Sequence, residues 1–132
     1  MAALAVAAAA LTASACGGSS PSADPRAGAV VRTVQGFAGA TGPKACDLLT
    51  DAALARLYGG RAGCLARSSR FQPGEVKVEG VTIGTGGTRA VAQTRSLGGG
   101  ERFTVVLQLV APPGCRAPCP QGQWRIDSIK PR

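Results

Sequence analysis

Cysteine is the residue type in this chain that offers the most chemistry. The sequence of 132 residues contains five cysteines and no histidine, and the cysteines are Cys16, Cys46, Cys64, Cys115 and Cys119. Zinc sites need four ligands, and redox enzymes commonly place two residues between paired cysteines, a spacing that is absent here. No pair of titratable residues suggests general acid–base catalysis either. We therefore expect a protein that is not an enzyme and has no metal, cofactor or catalytic residues.

The segment before Cys16 predicts export. An apolar run from Met1 to Ala15 ends at this cysteine, and a stretch rich in Gly, Ser and Pro follows it. An apolar region of about 7 to 15 residues followed by small residues is typical of a secretory signal peptide. A membrane-spanning helix, the alternative, needs about 20 apolar residues. We therefore expect residues 1–15 to be a signal peptide.

The segment Ala13-Ser14-Ala15-Cys16 resembles the lipobox of bacterial lipoproteins. In those proteins the cysteine sulfur is diacylated and the cysteine becomes the first residue of the mature chain. The resemblance implies an anchor to the outer face of the bacterial cytoplasmic membrane through a lipid on Cys16, with residues 16–24 as a flexible tether. Because the same residues also form an ordinary A-x-A cleavage site, simple secretion is the alternative.

The remaining cysteines are expected to form disulfides. An exported chain with an odd number of cysteines leaves one to be explained, and lipidation of the anchoring cysteine would leave two pairs. Four cysteines allow three connectivities, and the spacing favours Cys46 with Cys64 and Cys115 with Cys119. The first pair would join two short helices across a glycine turn. The second would close the tip of a hairpin.

The charge of the chain indicates which partners are suitable. The formal net charge is +8, and all of it belongs to the segment that follows the predicted signal peptide. For an exported protein we do not expect nucleic acid as a partner, whereas anionic lipid head groups or phosphate-bearing wall polymers would be attracted. The densest basic group contains Arg56, Arg61, Arg67 and Arg70. The alternative is a solvated, arginine-rich surface without a partner.

The first half of the predicted domain has helical features. Asp24 followed by proline is a strong helix start, and apolar residues recur at helical spacing, which predicts a first helix over residues 25–39. A short helix is expected over residues 45–49. Thr50 can cap a third helix, and a brief helical turn surrounds Cys64.

The second half has the period of β-strands. Glycine-rich turns separate four predicted strands, which cover residues 75–83, 88–95, 101–110 and 123–129. Helices followed by an antiparallel meander predict an α+β domain over residues 25–132, with the N-terminal helices packed on one face of a curved, four-stranded antiparallel sheet.

Alternation along the strands predicts which residues face the core. Phe103, Val105, Leu107 and Leu109 share one face of the third strand. In the first strand, Val76 and Val78 are out of phase with Val81 and Ile83. Gly80 lies between the two pairs, and we expect a β-bulge there.

Several segments together resemble small exported lipoproteins of the nuclear transport factor 2-like superfamily, which are largely uncharacterised. They are the strand meander, Ala45-Cys46-Asp47-Leu48-Leu49-Thr50, Cys64-Leu65-Ala66 and the closing segment from Gln123 to Ile129 with its Trp-Arg pair. The resemblance covers about residues 26–130. It implies a cystatin-like cone in which a curved sheet wraps around helices and can leave a pocket. It does not imply one function, because such folds serve many.

Two hypotheses about function follow. The first is a non-enzymatic, membrane-anchored envelope lipoprotein that acts as an interaction or accessory module. The alternative is a carrier of small apolar ligands, with a pocket inside the cone lined by residues such as Val91, Phe103, Val105, Leu107 and Trp124. An enclosed apolar pocket with a few polar groups would favour the carrier, and a solid core would exclude it.

Overall fold

The structure is a computed structural model that describes residues 24–111 and 122–132. Cys16, Cys115 and Cys119 lie outside the described residues, so the lipid anchor and the second disulfide stay predictions. Four α-helices come first in the described part: α1 (Pro25–Gly39), α2 (Lys44–Asp47), α3 (Asp51–Tyr58) and α4 (Arg61–Arg67). A short 3-10 turn over Ser68–Arg70 leads to four strands: β1 (Val76–Ile83), β2 (Arg89–Ser96), β3 (Arg102–Val110) and β4 (Gln123–Pro131). This order confirms the predicted α+β class.

Helix α1 has the predicted bounds, and its first turn explains where it begins. The Asp24 side chain accepts a hydrogen bond from the backbone N–H of Arg26, and a proline occupies the first turn. The Arg26 guanidinium also donates to the Asp24 carboxylate, and these hydrogen bonds hold the pKa of that carboxyl below its ordinary value. Ala27, Val30 and Val34 form the buried stripe of the helix.

Thr50 links helix α3 to the sheet. Its hydroxyl oxygen accepts the backbone N–H of Ala53 at 3.1 Å, which is the predicted cap, and its hydroxyl donates to Asp127 Oδ1 at 2.8 Å. The helix ends at Gly59, which has a φ of 73° in the left-handed region that favours glycine. One threonine therefore starts a helix and attaches it to β4.

The segment before α3 also covers the outer edge of β4. Leu49 forms a parallel bridge with Ile126. The Thr50 N–H donates to the Ile126 carbonyl at 2.9 Å, and the Ile126 N–H donates to the Leu48 carbonyl at 2.7 Å. Backbone groups at a sheet edge invite pairing with other chains, and this bridge occupies part of that edge.

A disulfide joins Cys46 of α2 to Cys64 of α4, with an S–S distance of 2.05 Å. Both residues are fully buried within the hydrophobic core. The structure confirms this pairing, which connects the helices on either side of α3.

The four strands form one antiparallel sheet in the order β1-β2-β3-β4. Its inner face packs against the helices, and α1 contacts β1, β2 and β4. The core between the layers includes Val30, Ala90, Ala92, Leu107 and Ile126. On β3 the predicted inward residues Val105 and Leu107 are buried, and Phe103 and Leu109 pack against the core.

Two β-bulges keep apolar side chains on the inner face. The register of β1 shifts between Val78 and Gly80, which confirms the predicted bulge and leaves Glu79 as the extra residue. The valines and isoleucine on both sides of it pack against the core. The sequence did not predict a second shift, where Leu107 pairs with Ile126 but Val106 pairs with Ser128.

We expect loss of the Cys46–Cys64 bridge to lower the free energy of unfolding by about 3 kcal/mol, because a loop of this length gains entropy in the unfolded chain. The test is urea denaturation of the Cys46→Ala/Cys64→Ala protein beside the wild type, each with and without a reductant. Reductant should destabilise the wild type more than the double variant, which retains only the predicted Cys115–Cys119 pair. Equal stability of the wild type and the double variant without reductant would contradict a stabilising role for this bridge.

Candidate apolar binding site

A cavity of about 200 Å³ lies between helix α1 and the inner face of the sheet. The helix contributes Val34, Phe37 and Ala38. The strands contribute Val76, Thr94, Phe103, Val105, Ile126 and Ile129. Eight of these nine residues are apolar and none is titratable, so the lining provides no group for proton transfer.

The cavity lies at the C-terminal end of α1. Strand register brings its walls together, because Thr94 pairs with Phe103 and Val105 pairs with Ile129. The Gly74 N–H, just before β1, donates to the Ala38 carbonyl at 2.7 Å. This hydrogen bond holds the last turn of the helix beside the beginning of the first strand.

Thr94 is the polar member of the lining. The residue is 2% exposed, and its Oγ1 has no hydrogen-bond partner among the residues that the structure describes. A buried polar group without a partner costs about 1–3 kcal/mol. By contrast, the hydroxyl of Thr104 donates to Gln93 Oε1 at 3.1 Å. Because the Thr94 Oγ1 is itself buried, the surface of the cavity is almost entirely apolar.

The structure brings together only part of the predicted lining. Phe103 and Val105 line the cavity, whereas Leu107 and Trp124, at 0% and 4% exposure, are core residues outside its lining. The prediction for Val91 is wrong. This residue pairs with Val106 and lies between the buried Ala90 and Ala92, so alternation directs it to the opposite face of the sheet.

Sequence reasoning missed Thr94 and the contribution of α1. The period of two along β2 contains the signal for Thr94, because it shares the face of Ala90 and Ala92. Val34 and Phe37 belong to the apolar stripe that predicted the helix. Nothing in that stripe indicates that the last turns of α1 border a cavity rather than a solid core.

Residues 24–111 and 122–132 lack two kinds of feature. No group of three or more His, Cys, Asp or Glu side chains in these ranges could hold a metal ion. No helix in the same ranges is long and apolar enough to cross a membrane.

We expect Thr94→Val to raise the free energy of unfolding by about 1 kcal/mol, because the substitution removes a buried hydroxyl that lacks a partner and keeps the side chain's shape. The measurement is urea denaturation. Thr104→Val is the matched control on the adjacent strand, and it should not stabilise the protein, since its hydroxyl has a partner. A Thr94→Val protein less stable than the wild type would show that the hydroxyl is satisfied.

Comparison with known proteins assigns no relative: no family model, no curated protein and no solved structure matches this chain significantly. Function is therefore inferred from the cavity and from the surface of the sheet.

Proposed function

We propose that this chain is a non-enzymatic, membrane-anchored envelope lipoprotein whose folded domain binds a small apolar ligand. The observation that carries this proposal is the cavity beneath α1, whose lining is apolar apart from Thr94. Pockets for small molecules are lined predominantly by apolar side chains. Of the two functions expected from the sequence, this geometry favours the ligand binder.

The size of the cavity restricts the ligand. At about 200 Å³ it is smaller than the roughly 300–1,000 Å³ that is usual for drug-sized ligands. It is comparable to a dry cavity of about 150 Å³ that accepts benzene. The ligand is therefore a single ring or a short alkyl chain.

The proposal includes the nuclear transport factor 2-like, cystatin-like cone. Its support is the element order, with helices followed by an antiparallel meander, and the two bulges, since bulges bend the strands that contain them. In such a cone, α1 occupies the concave side of the sheet and the ligand lies beneath the end of the helix.

The anchor is the second part of the proposal. A lipid on Cys16 would hold the domain at the outer face of the cytoplasmic membrane. The tether of residues 16–24 would span an r.m.s. distance of about 15–18 Å if it behaves as a flexible chain. A carrier in this position can exchange apolar molecules with the membrane surface.

We expect the wild-type protein to bind 1-hexanol and benzene saturably, with NMR shift changes at the methyl groups of Val34, Val105 and Ile126. Ala38→Leu should weaken both ligands at least ten-fold, because the larger side chain fills the cavity. Thr94→Val should leave both affinities unchanged, because the Thr94 Oγ1 is buried away from the open space of the cavity.

Val91→Leu is the control for these titrations, since it adds a methylene group on the other face of the sheet. It should bind both ligands as the wild type does. If neither ligand shifts the lining methyl groups of the wild type, or if Ala38→Leu binds normally, the cavity is not the ligand site.

We expect the wild-type protein from bacterial membranes to begin at Cys16 and to carry acyl groups. Intact mass spectrometry of the membrane fraction measures both properties. Cys16→Ala removes the sulfur and should remove the acyl mass and the membrane retention together. A mature wild-type chain without an acyl increment would favour simple secretion.

A further inference from the structure

The outer face of the sheet, which lies opposite α1 and the cavity, is basic. On each strand it carries the residues that alternate with the buried ones. Its charged members in the described residues are Lys77, Glu79, Arg89, Arg95, Arg102, Arg125, Asp127 and Lys130. Six of these eight side chains are positive.

Three of the basic residues form a single line across neighbouring strands. Lys77 pairs with Arg95, and Arg95 pairs with Arg102. Neighbouring strands are about 4.8 Å apart, and like charges directly opposite each other destabilise a sheet. Three acidic residues belong to this region: Glu79, whose carboxylate lies 3.6 Å from the Arg102 Nε, and the exposed Glu75 and Glu101, which precede β1 and β3. We call the line of Lys77, Arg95 and Arg102 the basic row. With the other basic residues of the outer face it belongs to a surface that keeps a net positive charge.

The position of the basic row suits a partner with a broad, flat surface. It lies at the end of the sheet beside the turn between β2 and β3. Towards the middle of the same face, Val91 and Val106 pair with each other and are half-buried. The face is thus a sheet surface with cations beside a small apolar area. Such a surface fits a plane of anionic head groups with apolar chains below it.

The basic group that is densest in the sequence is less available. Arg61 forms an ion pair with Asp47, and Arg56 donates to the Asp127 carbonyl. The Arg67 guanidinium lies 6.0 Å from the centre of the Tyr58 ring. Arg61 and Arg67 thus have partners within the helical half, and Arg56 bonds to β4. Strand register, by contrast, lines up Lys77, Arg95 and Arg102 from three strands.

We propose that the basic row is the docking surface for a bilayer that contains anionic phospholipid. The inference rests on the proposed anchor, because a tether with an r.m.s. length of about 15–18 Å keeps the domain within reach of the head groups. Docking through the outer face leaves α1 and the cavity on the opposite side of the sheet. The anchor would then hold the domain near the membrane, and the basic row would orient it.

The test is cosedimentation of the full-length Cys16→Ser chain, which lacks the lipidated sulfur, with phosphatidylcholine vesicles that contain or lack phosphatidylglycerol. The quantity measured is the gain in affinity from the anionic lipid, so any contribution of the apolar N-terminal segment is shared by both vesicle types. We expect Lys77→Gln/Arg95→Gln/Arg102→Gln to reduce this gain at least ten-fold, since each basic side chain near an anionic surface contributes roughly five-fold. The gain should also fall between about 0.1 M and about 1 M salt.

The matched control, Arg32→Gln/Lys44→Gln/Arg70→Gln, removes the same charge from exposed positions on the helices. It should lose much less of the gain, and Arg95→Lys/Arg102→Lys should keep most of it. Equal losses in the two glutamine triples, or no effect of phosphatidylglycerol on the wild type, would overturn the proposal. Binding of soluble polyphosphate without binding of anionic vesicles would also overturn it, in favour of a wall polymer.

Failure of the docking proposal and failure of the proposed function give different experimental results. Hexanol binding by the glutamine triple reports on the cavity, and the intact mass of the wild type reports on the anchor. A triple variant that binds hexanol normally is folded, so its vesicle affinity is a valid measurement of the basic row.

Discussion

The packing of helix α1 against the inner face of the sheet is the interaction on which the rest of the structure depends. An open sheet with one apolar face must be covered, and α1, with fifteen residues, is the longest helix in the described part of the chain. The small side chains of Ala90 and Ala92 lie in the core with Val30 and Val34. Towards Thr94 and Phe103 the helix ends while the sheet continues. The cavity is located where this cover becomes incomplete.

Helices α2, α3 and α4 complete this cover at the β4 side of the sheet. Their two anchors are the buried Cys46–Cys64 disulfide and the backbone bridge between Leu49 and Ile126. Thr50 adds a third connection through Asp127. The disulfide joins α4 to α2, and the bridge and the Thr50–Asp127 hydrogen bond attach the segment between α2 and α3 to the edge of β4. The same contacts position Ile126, which belongs to both the core and the wall of the cavity.

The bulges maintain the chemical difference between the two faces of the sheet. Without the shift in β1, either Val76 and Val78 or Val81 and Ile83 would point away from the core. With it, the inner face is apolar from end to end and the outer face collects the basic residues. The shift in β4 acts similarly on Ile126 and Ile129, which pair with Leu107 and Val105. One face is thereby suited to an apolar ligand and the other to anions.

Local pattern alone determined the elements: the cap at Asp24 located the start of α1, the period of two located four strands within one or two residues, and Gly80 indicated a bulge. These features depend on neighbours in the sequence, so the sequence predicts them. The lining of the cavity and the basic row depend on which strands pair and in which register. Alternation could have shown that Val91 shares a face with Arg95, but not that Lys77 and Arg102 would lie beside Arg95. Only tertiary structure decided these groupings, because they join residues that are distant in the chain.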